Sequence, residues 1–280
     1  MSIFNFGKKK TPSFLYNEPQ LLYAKLLFES EPQWDDVLLE EEIAKNFPLF
    51  TSHDIAKHEN KNTRQYFFRN YVGRYAEGEL PAQGTIFKPE KAFDQQVLTE
   101  ALRQVWHWNE AKDVVANCRH ELMVSDLLTM VLTYKERVEC YQKYLSSVVK
   151  VLKPKVLFFP TSEKLIHPDH FLEQLQEKSH LSLYGLINVR LFNIQGGGLF
   201  MDTVGLHALG LPDFQIRFQN YDPGQIAALL YSYAQYIFDR GSVIENGNTV
   251  DGIEEGSFWK CVYSHASLPP KRLLIEIQPV

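Results

Sequence analysis

The stretch from residue 183 to residue 241 constrains the fold more than any other. Residues 183–194, 199–209 and 214–218 each carry a strand pattern, and Gly196-Gly-Gly198 supplies the turn between the first two. No helical pattern intervenes until Asp222-Pro223, which caps a helix whose core stripe is Ile226, Leu229, Leu230, Tyr233 and Ile237, with Gly241 as its stop. Strands in series followed by a covering helix are characteristic of antiparallel pairing rather than of alternating βαβ units. The expectation is therefore an α+β fold: mixed, largely antiparallel sheets with helices packed mainly on one face, and room for two similar-sized subdomains.

The rest of the chain fits that frame. Residues 21–28 read as a buried strand, followed by a helix over about 32–46. Ser30 is the expected start of that helix, and Trp34, Val37, Leu38 and Ile43 its apolar side. A strand is expected over 66–75, with Gly78, Pro81 and Gly84 breaking up the residues after it. Helical stretches come next at about 93–105 and, from Asn109, to 117, with a strand at 121–130. Thr133 and Glu136 form a T-x-x-E capping box ahead of a helix with Tyr134, Val138, Tyr141, Leu145 and Val148 on one face. Lys153-Pro154 ends it, residues 156–159 read as a buried central strand, and Pro168 opens a short helix to Glu177. Asn246-Gly247 is a hairpin signal and 273–277 a closing strand. The expected division is a flexible leader at 1–18, an N-terminal α+β portion at 19–180 and a C-terminal sheet-plus-helix portion at 181–280.

Composition bounds the function classes. A net charge of −5 gives no basic face for phosphate neutralisation, so nucleic-acid binding is not expected. Cys118, Cys140 and Cys261 are odd in number and widely spaced, which implies free thiols, a reducing compartment and a cytoplasmic location. The apolar runs are too short to cross a bilayer, so no stable membrane insertion is expected. Phe4 and Phe6 precede three lysines, the reverse of a secretory signal.

The segment Met201-Asp-Thr-Val-Gly-Leu-His-Ala-Leu-Gly-Leu-Pro-Asp-Phe-Gln215 resembles the signature of the bacterial domain of unknown function family 4261. The later elements of that pattern are matched by Asp222-Pro223, Leu229-Leu-Tyr231, Ala234, Tyr236-Ile237 and Pro270-Lys-Arg272. Trp106-His107-Trp108 and Val124-Ser-Asp-Leu127 match two earlier ones. The resemblance implies a small accessory protein and no defined activity, catalytic residue or cofactor.

Single constellations point the same way. Gly196-Gly-Gly198 lacks the Lys-Ser/Thr of a phosphate loop and reads as a tight turn. His167-Pro-Asp-His170 has only part of a metal-ligand set and reads as a helix start; Cys118-Arg-His120 has less, so no metal site is assigned. Asp202, His207 and Asp213, with His265 in support, could form an acid/base group in a sheet-end cleft, although local capping at strand ends explains them better. Gly205 and Gly210 read as points of close packing or a bulge. Trp106, His107 and Trp108 could stack a planar ligand or anchor a partner, with one tryptophan turned into the core. Of Tyr231, Tyr233 and Tyr236, helical spacing puts Tyr233 on the core face. The leading expectation is a non-enzymatic protein-binding protein whose partner is a toxin or a secretion-associated protein, with toxin neutralisation as its narrower form. The alternatives are a hydrolase-like enzyme at Asp202, His207 and Asp213, and a structural subunit of a larger assembly.

Overall fold

The computed structural model describes residues 17–52, 62–76, 78–177 and 181–279. Most of the expected leader, with Phe4 and Phe6, lies outside them. Its last two residues lie inside, and Asn17 is tied down rather than loose. The Asn17 side-chain amide donates to the carbonyls of Leu211 and Leu273, and its oxygen accepts from the N–H of Leu273.

Thirteen strands among the described residues form two sheets. The first holds β1 (Tyr23–Phe28), β2 (Phe50–Ser52), β3 (Thr63–Tyr75), β4 (Gly78–Phe87), β5 (His120–Leu127), β6 (Val156–Phe159) and β7 (Lys164–Ile166). Its order is β2-β3-β4-β5-β1-β6-β7, antiparallel throughout. The second holds β8 (Asn188–Asn193), β9 (Leu199–Val204), β10 (Asp213–Phe218), β11 (Thr249–Asp251), β12 (Phe258–His265) and β13 (Leu273–Gln278), ordered β11-β12-β13-β10-β9-β8. Its one parallel pair is β10 with β13. The fold is α+β with two mostly antiparallel sheets, as the strand series implied.

The helices are α1 (Asp36–Asn46), α2 (Thr99–Arg103), α3 (Ala111–Asn117), α4 (Tyr134–Leu152), α5 (Pro168–Glu177) and α6 (Pro223–Arg240). Helix α4 starts at the expected capping box, with Thr133 and Glu136 each satisfying the other's free N–H. Helix α6 starts on Asp222, whose carboxylate accepts from Gln225 N, and stops at Gly241. Helix α1 begins later than expected, capped by Asp35 instead of Ser30. Its buried residues are Leu39 and Ile43, while Val37 and Leu38 face solvent. The acidic residues around them obscure the true stripe.

Two cores result. The main one joins both sheets through α1, α4, α5 and α6. A second lies on the other face of the first sheet, where Leu27, Val156, Phe158 and Leu165 meet Leu98, Ala101, Trp108, Ala111 and Val115 of the 95–117 region. Strand alternation sends Leu26 and Leu157 one way and Leu27 and Phe158 the other. This explains why β6 is continuously apolar although it lies second from an edge and not centrally. Strand β4 was hidden by its own composition. Gly84 leaves the space that the Tyr144 ring fills, since a Cβ there would lie 2.5 Å from it.

Candidate functional site

Asp202 and Thr203 lie near the end of β9, Asp213 opens β10, and the connection between the strands contains a short 3-10 segment, Leu206–Leu209. Asp202, Asp213, His207, Arg190 and Arg272 are all buried. Asp202 faces Arg190 of β8, with Nε–Oδ1 at 2.9 Å and Nη2–Oδ2 at 2.5 Å. It also accepts from Arg272 Nη2 at 2.7 Å. Arg190 Nη1 reaches Glu163 at 2.8 Å, and burial, which works to lower the Arg190 pKa, is outweighed by Asp202, so the pKa is raised.

Asp213 collects Thr203 Oγ1 at 3.0 Å, Leu206 N and His207 N at 3.2 Å each, and the His207 ring at 2.9 Å. Arg272 Nε lies 3.1 Å from Asp213 Oδ2 but lacks hydrogen-bond alignment. Burial works to raise the Asp213 pKa. The His207 hydrogen bond and the Arg272 charge outweigh it and hold the carboxyl below its ordinary value. An ionised carboxylate only accepts, so His207 Nδ1 is the donor. A Cβ on Gly205, whose φ is +134°, would sit 2.0 Å from the Leu186 carbonyl. That turn therefore requires glycine. Gln215 accepts from Ser267 N and steadies the loop that delivers Arg272.

A second buried pair stands beside this one. Asp126, in the Val124-Ser-Asp-Leu127 motif, pairs with Arg137 of α4 at 2.6 Å. Arg137 Nη1 donates to Ala208 O at 3.2 Å, in the turn that holds His207. The bonds from Arg137 to Ala208 and from Arg190 to Glu163 thus lock the motif residues of the second sheet to the first. None of Asp202, His207 and Asp213 lines the cleft at Trp106, the groove beside α6 or the two other surface cavities, near His167 and near Tyr71. His265 is on β12, and no bond joins it to Asp202, His207 or Asp213 among the described residues.

The Trp106-His107-Trp108 element divides. Trp108 packs in the second core and Trp106 is 57% exposed. Gln104 sets their position by bonding both the N–H and the carbonyl of Leu191, acting as an extra rung on the free edge of β8. Trp106 and His107 then form one wall of a 370 Å³ cleft between the two sheets, with Tyr184, Asn188 and Tyr231 on its other sides. Lys164 of β7 lies in it, its ammonium 5.0 Å from the Tyr184 ring centroid. Among the described residues it has no hydrogen bond or ion pair, and burial pushes its pKa down to about 8. Burial and the nearby Lys164 charge lower the His107 pKa to about 4, against the opposing pull of the Leu165 carbonyl 3.0 Å from Nε2. Sequence reasoning did not single out Lys164. A lone lysine in a short edge strand carries no signal until the fold places it, half-buried, in a cleft.

The remaining candidates resolve locally. His167 Nδ1 accepts from Asp169 N at 3.2 Å at the start of α5, and its ring packs edge-on against Trp108. Among the described residues no three His, Cys, Asp or Glu side chains gather around one metal position. Cys118, Cys140 and Cys261 are free and buried. Burial raises the pKa of Cys118 and of Cys261 to about 11. Gly196-Gly-Gly198 is the β8–β9 turn, all three at positive φ. No helix of the described residues is long and apolar enough to cross a membrane.

Fold and lock together define an α+β protein whose motif residues close its own interior. Residues 202–278 match the model of a domain of unknown function, DUF4261. The resemblance seen at Met201–Gln215 holds there. The Trp-His-Trp and Val-Ser-Asp-Leu elements lie outside the matched region. No curated protein and no solved structure matches the chain.

Proposed function

We propose that this is a non-enzymatic, cytoplasmic protein that works by binding another protein. The carrying observation is a groove beside α6 in which Tyr236 is 50%, Val243 46% and Phe258 57% exposed, around a space of 570 Å³. Clustered exposed apolar side chains of this size favour a protein partner. The internal use of Asp202, His207 and Asp213 supports the same reading. A hydrolase-like site there would require substrate to reach groups that are fully buried and already hydrogen-bonded. The free, buried thiols support a reducing compartment. In the narrower form of the proposal the partner is a toxin that this protein neutralises.

The test is affinity capture from the native host with the full chain and with Phe258→Asp and Tyr236→Asp variants. A partner retained by the unmodified protein and lost by both folded variants is expected. No reproducible partner, or one retained equally by the variants, overturns the proposal. Growth protection by co-expression with the captured partner would establish the narrower form, and its absence would remove it.

A further inference from the structure

The cleft at Lys164 is separate from the α6 groove and does not depend on the proposal above. Its volume of 370 Å³ is at the small end of the range for ligand pockets. Its lining includes the aromatic side chains of Trp106, Tyr184 and Tyr231 and the small ones of Ala227 and Ala228. Lys164 supplies the only formal charge among the described lining residues, because His107, with a pKa of about 4, is neutral at pH 7.

From this geometry we infer that the cleft between β7, the Trp106-His107 turn and α6 binds a small planar monocarboxylate, with the carboxylate on Lys164 and the flat body among Trp106, Tyr184 and Tyr231. With a pKa near 8 the amine is still largely an ammonium at pH 7. It lacks the counter-charge that a withdrawn cation ordinarily has. A carboxylate supplies one charge and acceptor oxygens, and forms the stronger, charge-assisted kind of hydrogen bond. A phosphate dianion would bring a second charge that nothing in the described lining answers. The aromatic walls favour a ring over an aliphatic chain, since stacked or edge-on contacts add to simple burial. Tyr184 keeps the ammonium in place by its ring face.

The probe is 2-naphthoate, titrated calorimetrically at pH 7 against the full chain, with 2-naphthalenemethanol as its uncharged analogue. Saturable one-to-one binding of 2-naphthoate is expected. The alcohol should bind about tenfold or more weaker, the loss expected on removal of a charge-assisted hydrogen bond. Lys164→Met should show the same loss for 2-naphthoate, while its urea midpoint confirms that it remains folded. Trp106→Ala should weaken both ligands. No saturable binding, equal binding of acid and alcohol, or an undiminished affinity in folded Lys164→Met each overturns the inference. A cleft that accepts only an acidic side chain of a partner protein would fail the first of these tests.

Discussion

Arg272 and Lys164 are both cations drawn back from bulk water, and they stand in opposite situations. Arg272 meets Asp202 at 2.7 Å and Asp213 at 3.1 Å, and donates to the carbonyls of Thr203, Leu268 and Pro270. Lys164 meets a tyrosine ring. A withdrawn charge surrounded by partners is part of the architecture, because removing any one partner exposes the cost of desolvating the rest. A withdrawn charge without a counter-ion leaves an interaction for something else to make. The difference separates the family signature from the candidate ligand site.

The strongest way to break this contrast is Asp202→Asn, which keeps shape but leaves Arg190 and Arg272 facing a neutral amide. The expected loss is about 3–5 kcal/mol in urea unfolding, the usual cost of stranding a buried partner. A loss below about 1 kcal/mol, as for an exposed pair, would remove the lock from the account. Gly205→Ala comes next. Its backbone conformation alone carries a penalty of about 1–3 kcal/mol, and the Leu186 carbonyl must also give way. An unchanged thermal midpoint would contradict the close approach.

A third prediction concerns acid. The folded pKa of Asp213 lies below its ordinary value of 3.8, so its contribution is complete above that value and is lost as the pH falls through the folded one. The stability difference between the unmodified protein and Asp213→Asn should be constant down to about pH 5 and shrink below about pH 4. A difference already closing near neutrality would assign the effect to another group. The smallest effect is the most discriminating. Lys164→Met removes a charge without removing a pair, so its unfolding free energy should stay within about 1 kcal/mol or rise. A loss like that of Asp202→Asn would make Lys164 a structural cation.

Much of the architecture was legible because ends of elements are local. The Thr133/Glu136 box, Asp222-Pro223 and Gly241 each act within one turn of chain, and each stands where its chemistry required. Helix α1 and strand β4 were not legible for tertiary reasons. Val37 and Leu38 are apolar residues left outside, and Gly84 is a gap filled by a ring from α4. The lock was half legible. Asp202, His207 and Asp213 stood out, but Arg190 and Glu163, 12 and 39 positions before Asp202 in the chain, did not. The cleft was legible at Trp106, His107 and Tyr231. Its charge comes from a lysine that no neighbour in sequence distinguishes, and only the meeting of β7 with α6 draws it partly out of water.

Asn17 carries a consequence for the order in which the fold can be completed. Its amide exchanges hydrogen bonds with Leu273 across 256 positions, from the first described residue to the opening residue of the last strand. During synthesis Asn17 emerges first and waits for the residues between it and Leu273 before its bonds can form. Arg272, one residue earlier, arrives with the same strand. A chain interrupted anywhere before Arg272 would therefore lack both this clasp and the cation that joins Asp202 to Asp213. Such truncated products would stay open to proteases, while the completed chain closes at both places together.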